Sequence, residues 1–186
     1  MHMSNHTIKR FGKFHEKAKE RYDFKTIYSK AKEIQKAKKG LTNYDLELFL
    51  SPDSKLFSII SDDQVAKIDI RIEKYYIVNL DTSRGPGTHW IALGIFRDTI
   101  EFFDPLGCEV FNWPNLPIGL LKFLFSASFK KTILRIERLQ SDESVQCGLY
   151  CVFYIMHRQY FSLQAIIDYL DQRKKNDDKI LINYFR

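Results

Sequence analysis

The chain has 186 residues, of which 45% are apolar, so it can bury one core of domain size and is not a disordered sequence. No apolar run approaches the roughly 20 residues that a membrane span needs, and the first residues lack an apolar signal segment, so we expect an intracellular protein. The formal net charge of +6 is uneven: residues 1–40 hold 12 Lys/Arg and 4 Asp/Glu, a net of +8, and residues 41–186 have a net of −2.

This charge distribution predicts a basic helical N-terminal arm over residues 1–40 and a separate domain over residues 41–186. Residues 14–39 contain no Pro or Gly and predict one or two helices that end at Gly40. The arm is interpreted either as a solvated amphipathic helix or as a surface that contacts nucleic acid or an acidic protein. Its aromatic residues are not regularly interleaved with the basic ones, so base-specific recognition is not implied.

The remaining sequence mixes helical and strand patterns. Thr42 is a good N-cap for a short helix that ends at Ser51-Pro52, and Ser61 is a candidate cap for another. Aromatic and β-branched runs predict strands at 73–80, 88–96, 99–104 and 131–139. Further helices are predicted at 117–128, from Cys147 to about 159, and at 163–175. We expect an α+β fold with a small mixed, mainly antiparallel central sheet and helices packed on it.

The three cysteines are Cys108, Cys147 and Cys151. Their odd number and their spacing predict neither a disulfide framework nor a metal site. Cys147 begins an apolar helix directly after a polar loop, and the positive end of a helix dipole stabilises a thiolate. It is therefore a candidate nucleophile, the alternative being a small buried apolar residue. Cys151, one turn later, is predicted to be a core residue, and nothing in the sequence near Cys108 activates that thiol.

A cysteine nucleophile needs a base, and the chain has five histidines. Three lie in the basic arm, and His157 is ten residues beyond Cys147, which on a helix corresponds to roughly 15 Å. His89, at the start of a predicted strand after a Gly-Pro-Gly loop, remains as the candidate base. A histidine at such a position can also be purely structural.

The third group is identified from the predicted hairpin. If the strands at 88–96 and 99–104 pair across Arg97-Asp98, partner residues have numbers that sum to 195, and His89 and Asp104 are diagonal neighbours on one face. Asp104 is then the carboxylate that can hold the imidazole of His89 in one tautomer. The alternative reading is a simple Asp-Pro strand terminator.

An oxyanion site needs donors near the sulfur. The backbone N–H of Cys147, at a helix N-terminus, is one candidate. Gln140 and Gln146 are both candidates for a side-chain donor. Gln140 is modestly favoured, because it follows a predicted strand, whereas Gln146 is adjacent to the nucleophile and can point elsewhere.

The chain order His89, Asp104, Gln140, Cys147 resembles the adenovirus-type (adenain-like) cysteine proteases and the related Ulp1/SENP superfamily. The matching segments are GTHWIAL, FFDPLG and QSDESVQCGLYCVFY. Adenovirus members carry Glu where this chain has Asp104, which is closer to the Ulp1 side. The resemblance covers residues 41–155, and LTNYDLELFL looks like the opening helix of small viral, virophage and Polinton-type members.

The resemblance implies a papain-like thiol mechanism with Cys147 as nucleophile, His89 as base and Asp104 as its orienting acid. It also implies that Gln140 and the Cys147 N–H bind the oxyanion, that Trp90 and Gly148 contact substrate, and that cleavage occurs at Gly-containing sites. The implied substrates are viral capsid or core precursors, cleaved by a monomer in the virion or infected cell. No cofactor is required, although DNA or a peptide activates some members.

Two related activities stay open at this stage. The same residues suit a protease that removes ubiquitin-like modifiers, and they suit a YopJ-type acyltransferase that passes the acyl group to a hydroxyl or amine. A non-enzymatic scaffold is disfavoured, because all four catalytic residue types are present.

Overall fold

The computed structural model describes residues 5–107, 117–126, 129–135, 138–141, 143–171 and 178–186. The predicted α+β fold is confirmed, with helices packed on a five-stranded sheet among these residues. The strands are β1 Phe57–Ser61, β2 Lys74–Asn79, β3 Trp90–Phe96, β4 Thr99–Phe103 and β5 Lys131–Arg135.

The sheet is mixed, as predicted, and its strands lie side by side in chain order. The two central pairings, β2 with β3 and β3 with β4, are antiparallel, whereas β1 and β5 pair in parallel with their neighbours at the two edges. The β3–β4 register places Ala92 opposite Phe103 and Leu93 opposite Phe102, so the predicted register is observed. Strand β1 was not predicted, because its short run of five residues carries no strong periodic signal.

The N-terminal region forms two helices, α1 Asn5–Arg21 and α2 Phe24–Ala37. They separate at Asp23, whose carboxylate accepts the N–H of Thr26 at 3.0 Å and caps α2. The prediction that Gly40 ends this helix is wrong. Helix α2 ends at Ala37 because Lys38 adopts a left-handed conformation, with φ of 54°, and the N–H groups of Lys38 and Lys39 return to the Ile34 carbonyl.

The next helix, α3 Asn43–Phe49, begins as the sequence predicts. The Thr42 hydroxyl accepts the Asp45 N–H, and the Asp45 carboxylate accepts the Thr42 N–H, which is a capping box. The remaining helices are α4 Ile118–Leu124, α5 Cys147–Arg158, α6 Leu163–Leu170 and α7 Lys179–Tyr184. Helix α7 was not predicted, and the predicted continuation of α6 to residue 175 falls largely outside the described residues.

Helix α5 is the centre of the fold, because every residue from Cys147 to His157 is buried. One sheet face, with Tyr75, Ile77, Ala92 and Phe103, shares its core with α5. The opposite face packs against α4 and the 3-10 helix Asp62–Lys67. A sheet covered on both faces holds the start of α5 beside the ends of β3 and β4.

The basic N-terminal helices pack against this same core. Their buried side chains are Phe11, Ala18, Tyr22, Phe24, Ile27, Ala31 and Ile34. Each helix therefore has one apolar face against the body of the protein and one charged face outward. The division at residue 40 into an arm and a domain stays a prediction.

Candidate active site

His89 and Asp104 lie just beyond the paired ends of β3 and β4. The strand register brings them together, and His89 Nε2 is 2.7 Å from Asp104 Oδ1. Both residues are buried, with exposed fractions of 8% and 2%. Asp104 Oδ1 also accepts the N–H of Leu106 at 2.9 Å, which fixes the carboxylate on the segment after β4. The β3–β4 register therefore positions His89 and Asp104, and the Leu106 N–H orients the Asp104 carboxylate.

Cys147 is the first residue of α5 and lies next to this pair. The Cys147 side chain is close enough to the His89 ring to raise the pKa of that imidazole. Because Nε2 of His89 faces Asp104, the other ring nitrogen, Nδ1, is the one that can exchange a proton with the sulfur. The arrangement is a thiol, an imidazole and a carboxylate in series, which is the geometry of an activated nucleophile.

The environment of His89 favours its protonated form. Burial lowers the pKa of His89, but the hydrogen bond to Asp104, the one with Cys147 and the negative charges of both partners raise it to about 9. At neutral pH the imidazole therefore carries a proton when both partners are negative. By contrast, burial lowers the pKa of His157 to about 3, and its ring nitrogens contact the Phe153 carbonyl and the Tyr184 hydroxyl.

The two candidate glutamines have different surroundings. The backbone N–H groups of Leu139 and Gln140 both bond to the Pro105 carbonyl at 2.9 Å, and the Tyr150 hydroxyl bonds to the Leu139 carbonyl. Gln140 is therefore held between the Asp104 segment and the first turn of α5. Its side-chain nitrogen donates one hydrogen bond to the Ser144 carbonyl, at 3.0 Å, and an amide has a second hydrogen to give.

Gln146 is turned toward the N-terminal helices. It is fully buried, and its side-chain nitrogen donates to the Ala31 carbonyl of α2 at 2.9 Å. This contact joins the residue before Cys147 to a helix that lies 115 positions earlier in the chain. The side chain therefore fixes the start of α5 in place.

A groove of about 500 Å³ opens at Cys147. Its lining includes Leu41, Tyr44, Asn79, Thr88 and Trp90, and no Lys, Arg, Asp or Glu is among its lining residues. The Trp90 indole N–H donates to the Leu41 carbonyl at 3.0 Å, so Trp90 holds the segment before α3 at the groove wall. An extended, uncharged chain segment fits such a lining.

Sequence reasoning missed Tyr44 and Asn79. The Tyr44 side chain is 70% exposed at the groove. Asn79 Oδ1 accepts the N–H of Asp81 at 2.9 Å and of Thr88 at 3.2 Å, so it orders the loop that leads into His89. Asn79 is a polar residue at the end of a buried strand, and a loop with Gly-Pro-Gly follows it. That pattern indicates an ordered loop, but it does not predict which backbone N–H groups the Asn79 side chain will accept.

Gly148 lies on the inner side of the site. A Cβ at this position would be 3.2 Å from Leu41 Cβ and 3.3 Å from Leu46 Cδ2. Glycine therefore allows α5 to approach the segment that carries the groove wall. Gly148 is not among the groove-lining residues, and its role in substrate binding stays a prediction.

Cys151 is a core residue of α5. Cys151 is fully buried, and burial raises the pKa of its thiol. Cys108 lies outside the described residues. Within the described ranges, no group of three or more His, Cys, Asp or Glu side chains could hold a metal ion.

The comparisons with known proteins find likenesses among solved structures. No protein-family model matches the chain, and no curated protein matches it. Among solved structures, it is similar to the selenomethionine form of the ASFV pS273R protease, with 19% sequence identity and a TM-score of 0.48. The alignment covers 79% of this chain and 66% of that one.

Across the residues that the structure describes, none of the helices is both long enough and apolar enough to cross a membrane.

Proposed function

We propose that this protein is a cysteine endopeptidase. The observation that carries the proposal is the series Cys147, His89 and Asp104, with the 2.7 Å contact between His89 Nε2 and Asp104 Oδ1 and the sulfur at the mouth of an uncharged groove. A buried carboxylate behind an imidazole, with a thiol in front of it at a helix N-terminus, suits nucleophilic attack on a carbonyl.

The proposed reaction has two stages. The proton of the Cys147 thiol goes to His89 Nδ1, and the sulfur attacks the carbonyl carbon of the scissile peptide. His89 then gives that proton to the leaving amine as the C–N bond breaks, which leaves a thioester on Cys147. In the second stage His89 takes a proton from water and the resulting hydroxide attacks the thioester carbonyl carbon. The C–S bond then breaks, the carboxylic acid product leaves, and the proton on His89 returns to the sulfur.

The negative oxygen of each tetrahedral intermediate needs donors. The N–H of Cys147 is in the first turn of α5, where backbone N–H groups have no helical partner. We assign the second donor to the Gln140 amide, which retains one hydrogen beyond its bond to Ser144. The commitment of Gln146 to Ala31 supports this choice.

For the biological substrate, we propose viral capsid or core precursor proteins, cleaved at Gly-containing sites during particle maturation. The support is the ordered set of four motifs around His89, Asp104, Gln140 and Cys147, together with the uncharged groove lining. Small residues next to the scissile bond suit a wall formed by Trp90 and the Gly85-Pro86-Gly87 loop.

The test uses the wild-type chain, a Cys147→Ala variant and a Cys151→Ala variant as the matched thiol control. Each is incubated with the capsid and core precursors of the same genome, with Gly-Gly-ended modifier fusions, and with acyl donors plus acceptor peptides. We expect the wild-type and Cys151→Ala proteins to cleave a precursor and the Cys147→Ala protein to be inactive.

Other outcomes would redirect or end the assignment. Preferential cleavage of the modifier fusion identifies a modifier-removing protease, and acyl transfer without hydrolysis identifies a transferase. Cleavage by the Cys147→Ala protein, or no reaction by the wild type with any of these substrates, would overturn the proposal.

A further inference from the structure

A second groove, of about 470 Å³, lies at the other end of α5. We call it the basic–aromatic groove and define it by Lys13, Phe14, Lys17, Tyr22, Tyr160 and Phe161. Tyr160 and Phe161 directly follow α5, whose 12 residues span roughly 18 Å from Cys147. The groove is therefore separate from the proposed active site.

The floor of this groove is apolar and already well packed. Phe14 contacts Tyr160, with ring centroids 4.6 Å apart, and meets His157 edge to face at 4.8 Å. Phe161 is stacked on Phe11 at 4.0 Å. The Tyr160 side chain is nevertheless 47% exposed. A partly exposed aromatic surface in a concavity is a place where a bulky apolar side chain gains burial.

The rim of the groove is positively charged. Arg10 and Arg21 are already engaged: Arg10 donates to the Tyr160 carbonyl and lies over the Phe161 ring, and Arg21 pairs with the buried Asp53. Lys13 and Lys17 are exposed and stand one helical turn apart. Neither has an ion-pair partner among the residues that the structure describes.

The apolar floor and the basic rim together indicate which kind of ligand the groove binds. A nucleic acid strand binds by stacking bases on open ring faces and by a track of cations along its backbone. Here the Phe14 and Phe161 rings are occupied by neighbouring groups, and only two unpaired cations line the groove. A peptide needs one pocket for an apolar side chain and nearby cations for its carboxylates, which is what this groove offers.

We infer that the basic–aromatic groove is a docking site for an acidic peptide segment of a partner protein, and that this segment carries a bulky apolar residue. The apolar residue packs on the exposed ring of Tyr160, and flanking Asp or Glu side chains pair with Lys13 and Lys17. Because the groove is about one helix length from Cys147, the segment and the proposed active site can be occupied at the same time.

The test measures binding to the full chain carrying Cys147→Ala, so that its result does not depend on catalysis. The probes are labelled peptides of Asp, Glu and Ser with one central Phe, Leu or Ala, and an oligothymidylate of similar charge, followed by fluorescence anisotropy. We expect the Phe and Leu peptides to bind more tightly than the Ala peptide, and binding to weaken with added salt.

Two variants locate the site, and a third is the matched control. Lys13→Glu/Lys17→Glu is expected to weaken the Phe peptide by about tenfold or more, and Tyr160→Ala by several fold. Lys32→Glu/Lys36→Glu makes the same charge change with the same spacing on the exposed face of α2. It is expected to change binding by less than about twofold.

Three results would overturn the inference. The first is equal binding of the Phe and Ala peptides, or no binding of either. The second is an equal loss in the control variant, which would indicate a general charge effect. The third is tighter binding of the oligothymidylate with the same dependence on Lys13 and Lys17, which would make the groove a nucleic-acid site.

Discussion

At the scale of single residues, the neighbours of His89 control its pKa. The hydrogen bond and the charge of Asp104 are among the influences that raise the pKa of His89 to about 9, and burial opposes them. We expect Asp104→Asn to lower the His89 pKa, because burial is then opposed only by Cys147. The measurement is an NMR titration of the imidazole nitrogens, with Asp98→Asn, in the β3–β4 turn, as the control.

The same substitution has a consequence for stability. A histidine whose pKa is raised by folding stabilises the native state fully below its unfolded pKa of roughly 6.5 and loses that contribution as the pH rises toward 9. The free energy of unfolding of the wild type should therefore fall between these pH values more steeply than that of Asp104→Asn. Parallel curves for the two proteins would contradict the assigned pKa and its cause.

The two glutamines provide a second test at this scale. We expect Gln140→Ala to lower kcat by a factor of about 100 to 1,000, which is typical of a lost oxyanion donor, in addition to the stability lost with its bond to the Ser144 carbonyl. Gln146→Ala should instead lower the free energy of unfolding by about 1 to 3 kcal/mol, because a buried hydrogen bond to Ala31 is lost. The reverse pattern in kcat and in denaturant unfolding would assign the oxyanion to Gln146.

At the scale of secondary-structure elements, the close approach of α5 to the segment before α3 defines the groove wall. We expect Gly148→Ala to destabilise the fold by about 1 to 3 kcal/mol, because the new methyl group would crowd Leu41 and Leu46. The measurement is the free energy of unfolding in urea, together with KM for a cleaved substrate, since Leu41 lines the groove.

Gly12→Ala is the matched control for this effect. Gly12 is in the middle of α1, and no atom outside its own helix backbone and chain neighbours lies within 4 Å of the position of a Cβ there. This substitution is expected to stabilise α1 by about 0.5 to 1 kcal/mol. If both substitutions had the same effect, the packing at Gly148 would not be the cause.

The elements differ in how well the sequence predicted them. Helix α3 was predicted from Thr42 and Asp45, and the β3–β4 hairpin from the short turn at Arg97, because caps and tight turns are local interactions. The end of α2 at Lys38 and the edge strand β1 were not predicted. A left-handed cap at a lysine has no compositional signal, and a parallel edge strand depends on a partner distant in the chain.

At the scale of the whole molecule, the N-terminal helices contribute to the core as well as to the charge. We expect deletion of residues 1–40 to abolish cooperative folding, because it removes seven buried side chains and the contact from Gln146 to Ala31. The measurement is thermal unfolding followed by circular dichroism. The Lys32→Glu/Lys36→Glu protein, which changes only exposed charge, should unfold cooperatively; a truncated protein with an unchanged Tm would contradict this prediction.

The sequence by itself determined the local interactions of this protein. The hairpin register that pairs His89 with Asp104, the short segment from Gln140 to Cys147 and the cap of α3 all depend on residues that are close in the chain, where geometry leaves few choices. The tertiary structure decided which glutamine faces α2, which residues line the groove, and that the basic helices share the core. Those features depend on contacts between distant segments, such as Gln146 with Ala31 and Trp90 with Leu41, and sequence periodicity does not encode which distant surfaces meet.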